Sequence, residues 1–237
     1  MTTLQSRKKE SYKIFDQIAG TYDLLNHILS FGIDIYWRSK MRKLLPERKG
    51  LKVLDLACGT GDVSLVMGAD DKVESLEGID LSQGMIDYGR IKVNKKNLQD
   101  KVQLNIGDGV TIPRDDQSVD VITLSFGIRN FDDPQRSLEN MTRVLKTDGR
   151  VIIMEFSIPK SRFFRGVYFF YFRHLLPFVG NLISKHKDAY TYLNQTVEDF
   201  PYGNEFAQMM TKAGLSNVQY KTLTFGIATL YWGDKNE

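Results

Sequence analysis

Between residues 7 and 46 the apolar positions recur at helical spacing, at Tyr12, Phe15, Ile18 and Ala19 and again at Tyr36, Trp37, Met41, Leu44 and Leu45, until Pro46 ends the run. The period changes at Leu51. Residues 51–56 form a short apolar run that stops at Gly59-Thr60-Gly61, as a buried strand entering a tight turn does. Strands are expected again over 74–79, 102–106, 119–125 and 150–156, with helical stretches such as 82–96 and 134–146 among them. This alternation predicts a parallel sheet covered by helices on both faces. After a helix over 204–213 the rhythm breaks, and two strand-like runs, 218–223 and 227–232, are joined by Thr224-Phe225-Gly226, which predicts a closing antiparallel hairpin. The expected fold is α/β: a seven-stranded, mostly parallel sheet with a C-terminal antiparallel hairpin and a helical N-terminal lid.

The chain has 237 residues, enough for one domain with a full core, and it has no internal repeat and no linker rich in Gly, Pro or Ser. One domain is expected over 1–237, divided into a helical lid (1–46), a cofactor-binding core (51–157), an apolar helical insertion (158–200) and a C-terminal helix and hairpin (204–237). With 42% hydrophobic and 26% charged residues the composition is that of a globular protein, and a net charge of +3 is too small to argue for nucleic acid. Cys58 is the single cysteine, so no disulfide framework exists, and His27, His174 and His186 lack ligand spacing with it or with one another. No structural metal is expected. Residues 1–10 are polar and basic with no apolar segment behind them, so export is not expected and the cytosol is.

A strand, then Asp55-Leu56-Ala57-Cys58-Gly59-Thr60-Gly61-Asp62, then a helix places a ligand at the carboxyl edge of a parallel sheet, and glycines there let the backbone approach it closely. A bare Gly-x-Gly also serves simple strand-to-helix turns. Asp80, at the end of the next strand, shifts the balance toward a cofactor, because an acid roughly 20 residues on is what binding of a ribose asks for. Charge then selects the cofactor. Asp55 before the loop and Asp62 at the start of the helix put carboxylates where a dinucleotide would need its pyrophosphate, and Ser64 stands where the third glycine of the dinucleotide fingerprint would be. A ligand with an ammonium and a sulfonium and no phosphate suits these carboxylates, and S-adenosylmethionine is such a ligand. Asp108, in Gly107-Asp108-Gly109, is placed to accept from an adenine amino group, or else is a turn residue bonding its own backbone. Ser125 ends the fourth strand where the methionine part should pass.

More specific segments are Phe15-Asp16-x-Ile18-Ala19-x-x-Tyr22-Asp23 with Asn26 and the stretch from Ser30 to Trp37-Arg38, then Phe126-Gly127-Ile128-Arg129-Asn130, and Arg143-Val144-Leu145-Lys146 leading to Glu155-Phe156-Ser157-x-Pro159. With these, the sequence resembles the menaquinone and ubiquinone biosynthesis C-methyltransferases, the UbiE/MenG group, from Phe15 to Trp232. The resemblance implies a Rossmann-like class I methyltransferase fold and points to Thr60, Asp80, Asp108 with Gly109, and Ser125 as cofactor contacts, which join Asp55, Gly59 and Gly61 of the glycine loop as the cofactor-binding candidates. Arg129, Asn130, Tyr22 and Asp23 become the catalytic candidates. Arg129 is placed to stabilise the phenolate of a reduced quinone precursor, directly or through a water, with a structural salt bridge or helix cap as its alternative role. Tyr22, Asp23 and Asn26 are candidates for closing a lid, with ordinary helix packing as the alternative. The sequence departs from the group's usual pattern at Leu25 (Met), Asp34 (His) and Thr147-Asp148-Gly149 (Pro-Gly-Gly). Any role of that histidine does not transfer, and the role of Asp34 stays open.

The implied reaction is C-methylation of the ring of a polyprenylated quinol, with demethylmenaquinol to menaquinol preferred. A ubiquinone-pathway benzoquinol, another small phenol, sterol or lipid, and a non-catalytic cofactor-binding scaffold are the alternatives. The stretch 163–183 is rich in Phe, Tyr and Leu, but Arg165, Arg173, His174 and Pro177 interrupt it, so it is not an uninterrupted bilayer span. An interfacial helix, a wall for a substrate tail, a subunit contact in a homo-oligomer and plain core packing are its readings. Arg165, Arg173, Lys185 and Lys187 favour anionic head groups nearby, so reversible peripheral contact with the inner face of the membrane is expected.

Overall fold

The computed structural model describes residues 11–171 and 195–236. Its sheet has seven strands: β1 (Leu51–Leu56), β2 (Val73–Asp80), β3 (Val102–Ile106), β4 (Val119–Ser125), β5 (Leu145–Phe156), β6 (Ser216–Leu223) and β7 (Ala228–Asp234). They lie in the order β3-β2-β1-β4-β5-β7-β6. The first five are parallel, while β7 runs antiparallel to both β5 and β6. The expected hairpin is present, and its second strand slots between the first and the parallel part of the sheet.

Alternation along the central strands sorts side chains to two faces. Val53, Val121, Ile152, Met154 and Leu230 pack with Trp37, Met41, Met67 and Ile86 on one face. Leu54, Ile122, Ile153 and Tyr231 pack with Leu138, Met141, Phe206 and Met210 on the other. The first layer comes from α2 (Ile33–Arg42), α3 (Asp62–Gly68) and α4 (Gln83–Lys95), with α1 (Ser11–Leu29) packed outside it on α4 and α2; the second comes from α5 (Pro134–Val144) and α7 (Asn204–Lys212). Local chemistry sets the helix starts. The Ser82 hydroxyl accepts from Met85 N at the head of α4, and the Asp133 carboxylate accepts from Arg136 N ahead of Pro134 at the head of α5.

One boundary moves. The helix expected over 134–146 stops at Val144, and β5 begins five residues before the expected 150, because Leu145 leaves helical geometry (ψ 135°) and pairs with Val119. The apolar insertion starts as α6 (Arg162–Phe170). Beyond it, Arg173, His174, Pro177, Lys185, His186 and Lys187 lie outside the described residues, as does the basic start of the chain. Among the described residues no helix is long and apolar enough to cross a membrane.

Chain order reverses between β1 and β4, one followed outward by β2 and the other by β5. At such a switch point the connections diverge to opposite sides and leave a crevice at the carboxyl ends of the strands.

Candidate functional site

A cavity of about 410 Å³ occupies that crevice. Ala57 and Gly59 face it from the end of β1, Asp80 and Leu81 from β2, Gly107 to Val110 from β3, and Ser125 to Gly127 from β4. Tyr12 and Tyr22 of α1 cover it, so the N-terminal helices do form part of the wall.

The glycine loop shows why its residues are small. Gly59 sits at φ +55°, a left-handed backbone conformation that other residues rarely adopt, so the turn itself asks for glycine. Asp80 holds this loop in place: one carboxylate oxygen accepts from Gly59 N and the other from Ser82 N, each at 2.9 Å. Burial pushes the Asp80 pKa up against those backbone hydrogen bonds. Each oxygen retains a lone pair for a ligand hydroxyl. Asp108 also lines the cavity, and it is at the same time the turn residue of the alternative reading, accepting from Val110 N at 2.9 Å and Thr111 Oγ1 at 3.0 Å. Gly109 stands where a Cβ would come within 2.6 Å of the Phe131 ring, itself part of the wall.

Two polar atoms in the wall have no hydrogen-bond partner among the described residues. Ser125 Oγ and Asn130 Oδ1 are buried without a hydrogen-bond partner, a costly state that a bound polar ligand relieves. Tyr22 is half-buried beside them, and burial raises its pKa above the usual value even though Asn26 hydrogen-bonds to it and Arg129 and Arg38 lie near. Its hydroxyl therefore stays neutral at ordinary pH.

Other expected residues stand behind the wall. Asp55 does not touch the cavity: it is 1% exposed, and its carboxylate accepts from Ser64 Oγ at 2.6 Å and Thr123 Oγ1 at 2.7 Å, pinning α3 and β4 to β1. Burial pushes its pKa up to about 6. Thr60 is buried as well, and its hydroxyl donates to Asp23 at 2.5 Å; Gly61, Asp23 and Asp62 are likewise absent from the lining. The charge argument built on Asp55 and Asp62 is thus corrected in its residues. Asp62 is neutralised by Lys92 at 2.5 Å and Arg38 at 3.2 Å. The carboxylates that face the cavity are Asp80, Asp108 and Asp132, and among the described lining residues none is cationic. The sequence does not single out Asp132, nor Leu81, Met85 and Phe131, which with Phe126 supply the apolar wall. The turn after β4 was the one signal that pointed to part of this group.

Arg129 makes a buried salt bridge, the interaction named as its alternative. It is 4% exposed, its Nη1 donates to Glu155 Oε1 at 2.7 Å and to the Phe126 carbonyl, and its guanidinium lies 5.3 Å from the centroid of the Phe156 ring. It does not line the cavity, because the buried carboxylate of β5 holds it below the wall. Its Nε remains buried and unbonded.

Asp34 lies on α2, away from the cavity. It is paired with Arg38 and accepts from Ser30 Oγ at 2.6 Å, with His27 Nδ1 at 2.7 Å. Burial raises its pKa, but the hydrogen bonds from Ser30 and Arg38 and the charge of Arg38 outweigh that, and the net shift is downward. His27, Asp34 and Asp62 bring three ligand atoms within 4.8 Å of one another. The Arg38 guanidinium already bridges the two carboxylates, which fills the place a cation would take.

The donor set fits S-adenosylmethionine. Three carboxylates and no cation suit a positively charged ligand without phosphates, Asp80 follows the strand next to the glycine loop as a ribose partner does, and Ser125 and Asn130 present unused polar atoms.

Comparison with known proteins agrees with this geometry. The model of the ubiE/COQ5 methyltransferase family matches residues 1–235. The ubiquinone/menaquinone biosynthesis C-methyltransferase UbiE of Geotalea uraniireducens is 40% identical over 236 residues, 99% of this chain and 100% of that protein. The demethylmenaquinone methyltransferase of Bacteroides fragilis is 39% identical over 229 residues, covering 97% and 94%. Among solved structures, an S-adenosylmethionine-dependent methyltransferase from Thermotoga maritima superposes with a TM-score of 0.66 at 18% identity, over 95% of this chain and 99% of that one. The [4+2]-cyclase SpnF superposes at 0.70 with 12% identity, over 97% of both chains, so the fold alone does not name the chemistry. The family match, spanning almost every residue, does carry that weight: the chain belongs to the ubiE/COQ5 methyltransferase family.

Proposed function

We propose that this protein transfers a methyl group from S-adenosylmethionine to a ring carbon of a polyprenylated quinol, with demethylmenaquinol as the acceptor and menaquinol as the product. The observation that carries the reading is the crevice at the β1/β4 switch point, faced by three aspartates and two unbonded polar atoms, in a chain of this family. When bound, the cofactor supplies an electrophilic methyl on a sulfonium. That methyl would pass from sulfur to the ring carbon, leaving S-adenosylhomocysteine, and the ring hydrogen would be lost as a proton.

The chain's own part is to bind, to orient and to keep water out. Asp80 holds the ribose, while Ser125 and Asn130 take the methionine part. Tyr12 and Tyr22 exclude solvent from above, and Phe126 and Phe131 provide apolar faces for a ring. Arg129 favours the phenolate of the quinol through its charge, acting from behind the wall and through Asn130 or a water in place of direct contact.

The same reading places the protein at the cytoplasmic face of the membrane, where a tailed acceptor resides. Phe163, Val167 and Phe170 project along one face of α6 at 73, 54 and 64% exposure, with Arg165 nearby and Phe225 stacked against Phe164. Flotation at low salt with vesicles of anionic lipid is expected to carry the protein upward; a protein that stays wholly in solution overturns the membrane part.

The reaction is tested by incubating the protein with S-adenosylmethionine and either a tailed demethylmenaquinol, a tailed benzoquinol or a tail-less naphthoquinol. Mass spectrometry is expected to find a product one CH2 heavier with the first. Cofactor binding without methylation of any quinol favours the scaffold reading instead.

A further inference from the structure

The N-terminal helices are tied to the glycine loop by a chain of charges that the methyl-transfer reading does not use. Asp23 of α1 accepts from the Thr60 hydroxyl at 2.5 Å and from the Lys92 ammonium. Lys92, on α4, also reaches Asp62 at 2.5 Å and Thr60 Oγ1 at 3.3 Å. From Asp62 the chain runs to α2, where Arg38 lies at 3.2 Å and pairs in turn with Asp34. Four elements, α1, α2, α3 and α4, thus meet around two cations.

Position gives this network its meaning. Asp23 follows Tyr22, Thr60 follows Gly59, and both Tyr22 and Gly59 line the cavity. The ion pair therefore joins the cover of the cavity to its floor one residue behind the wall. The side chains of Asp23 and Lys92 are only 16% and 20% exposed, so solvent and salt weaken their attraction less than they weaken a surface pair. Without the ammonium, the carboxylates of Asp23 and Asp62 would face one another and repel. At its other end α1 is held independently, since Asp16 accepts from Ser82 Oγ at 2.9 Å and Gly84 N at 2.7 Å. One anchor of the helix thus joins a carboxylate to neutral donors, and the other is a clasp between opposite charges.

We propose that Lys92 is a positioning residue that latches the N-terminal helices over the cofactor cavity, so that cofactor entry and product release require its pair with Asp23 to open. This inference rests on the cofactor reading above and adds to it the step that controls exchange.

The test uses the full-length protein, its Lys92→Met, Lys92→Arg and Asp23→Asn variants, and S-adenosylhomocysteine as the probe. Stopped-flow release of the probe is expected to quicken about tenfold in Lys92→Met and Asp23→Asn, the scale of one charge-assisted hydrogen bond, and to be largely restored in Lys92→Arg. Amide hydrogen exchange without any ligand should quicken across residues 11–29 in both weakened variants, while β1 and β4 stay protected. If Lys92→Met does not fold, Asp23→Asn carries the same expectations. Release and exchange within twofold of the unmodified protein, or a change spread evenly over the whole sheet, overturn the latch. Failure of every form to bind the probe overturns the cofactor reading, and the exchange of the ligand-free protein still decides whether the clasp exists.

Discussion

Arg129 and Glu155 form an ion pair at 2.7 Å with side chains only 5% and 2% exposed, directly beneath the turn that carries Phe126 and Asn130 into the cavity. The arginine comes from the short 3-10 turn Ile128–Asn130 after β4 and the glutamate from β5, so the pair staples the cavity rim to the sheet. Glu155 is itself held by Phe156 N at 2.8 Å.

Removing one member of a buried pair leaves the other charged and unsatisfied, at a cost of about 3–5 kcal/mol. Glu155→Ala is therefore expected to lower the urea midpoint markedly and to disturb cofactor binding with it. Arg129→Gln leaves the Glu155 carboxylate buried without its cation and should cost comparable stability, and a loss of turnover beyond the unfolded fraction measures what the cation adds for the phenolate. Chemical denaturation and single-turnover methyl transfer at saturating cofactor separate the two effects. Intact turnover in Arg129→Gln would falsify the electrostatic role.

The period of the apolar pattern made the sheet legible. Every parallel strand was marked by a run such as 119–125, and the terminal hairpin by its short turn. The start of β5 was not, because Leu145-Lys146-Thr147-Asp148 reads as the end of a helix, and its pairing with Val119 depends on a neighbour distant in sequence. At the site, residues at strand ends could be placed: Gly59, Asp80, Asp108 and Ser125 all face the crevice. Which way a side chain turns was not legible. Asp55 and Arg129 sit at the right places along the chain and point away from the cavity, since Ser64, Thr123 and Glu155 hold them from other elements. The wall residues Leu81, Met85 and Phe131 carry no chemical signature, and only the fold brings them to the cavity.

Asp55 makes a pH prediction with a definite sign. Its folded pKa of about 6 exceeds its ordinary value of 3.8, so the native state binds the extra proton between those values. Its contribution is most favourable below pH ~4 and is lost as the pH rises through about 6, by roughly 3 kcal/mol at 1.36 kcal/mol per unit. Asp55→Asn removes this titration while an amide still meets two hydroxyls, each able to donate or accept. Relative to the unmodified protein, the variant should gain stability steadily between pH 4 and 6 and hold that gain above. Urea unfolding of both proteins across this range checks it; parallel curves would mean that Asp55 is not the titrating group.

Ser125 is expected to trade stability for binding. Its Oγ is buried without a partner, and such a group costs about 1–3 kcal/mol. Ser125→Ala should therefore match or exceed the unmodified protein in ligand-free melting temperature. If the hydroxyl serves the methionine part of the cofactor, the same change should weaken binding of S-adenosylhomocysteine by about three- to tenfold, the worth of one net hydrogen bond. Calorimetry of both quantities on one sample is decisive, because a simple packing defect moves them in the same direction.

Gly89 provides a case in which helix propensity and tertiary packing predict opposite signs. It lies inside α4, where alanine is ordinarily favoured over glycine by about 1 kcal/mol. A Cβ at this position would come within 2.6 Å of Leu104 Cδ1 and 3.1 Å of the Thr60 carbonyl carbon and oxygen. The leucine end can shift, but the Thr60 backbone belongs to the loop that Asp80 ties down through Gly59 N. Overpacking of this kind costs about 1–3 kcal/mol, enough to reverse the propensity gain. Gly89→Ala is thus expected to destabilise the protein and to move α4 away from the loop, taking Lys92, one helical turn farther along, out of reach of Asp23. Its release of S-adenosylhomocysteine should then quicken as in Lys92→Met, and the two changes combined should add little to either alone. A stabilised Gly89→Ala protein with unaltered release would show that the loop yields freely, and that close packing of α4 does not set the geometry of the cavity.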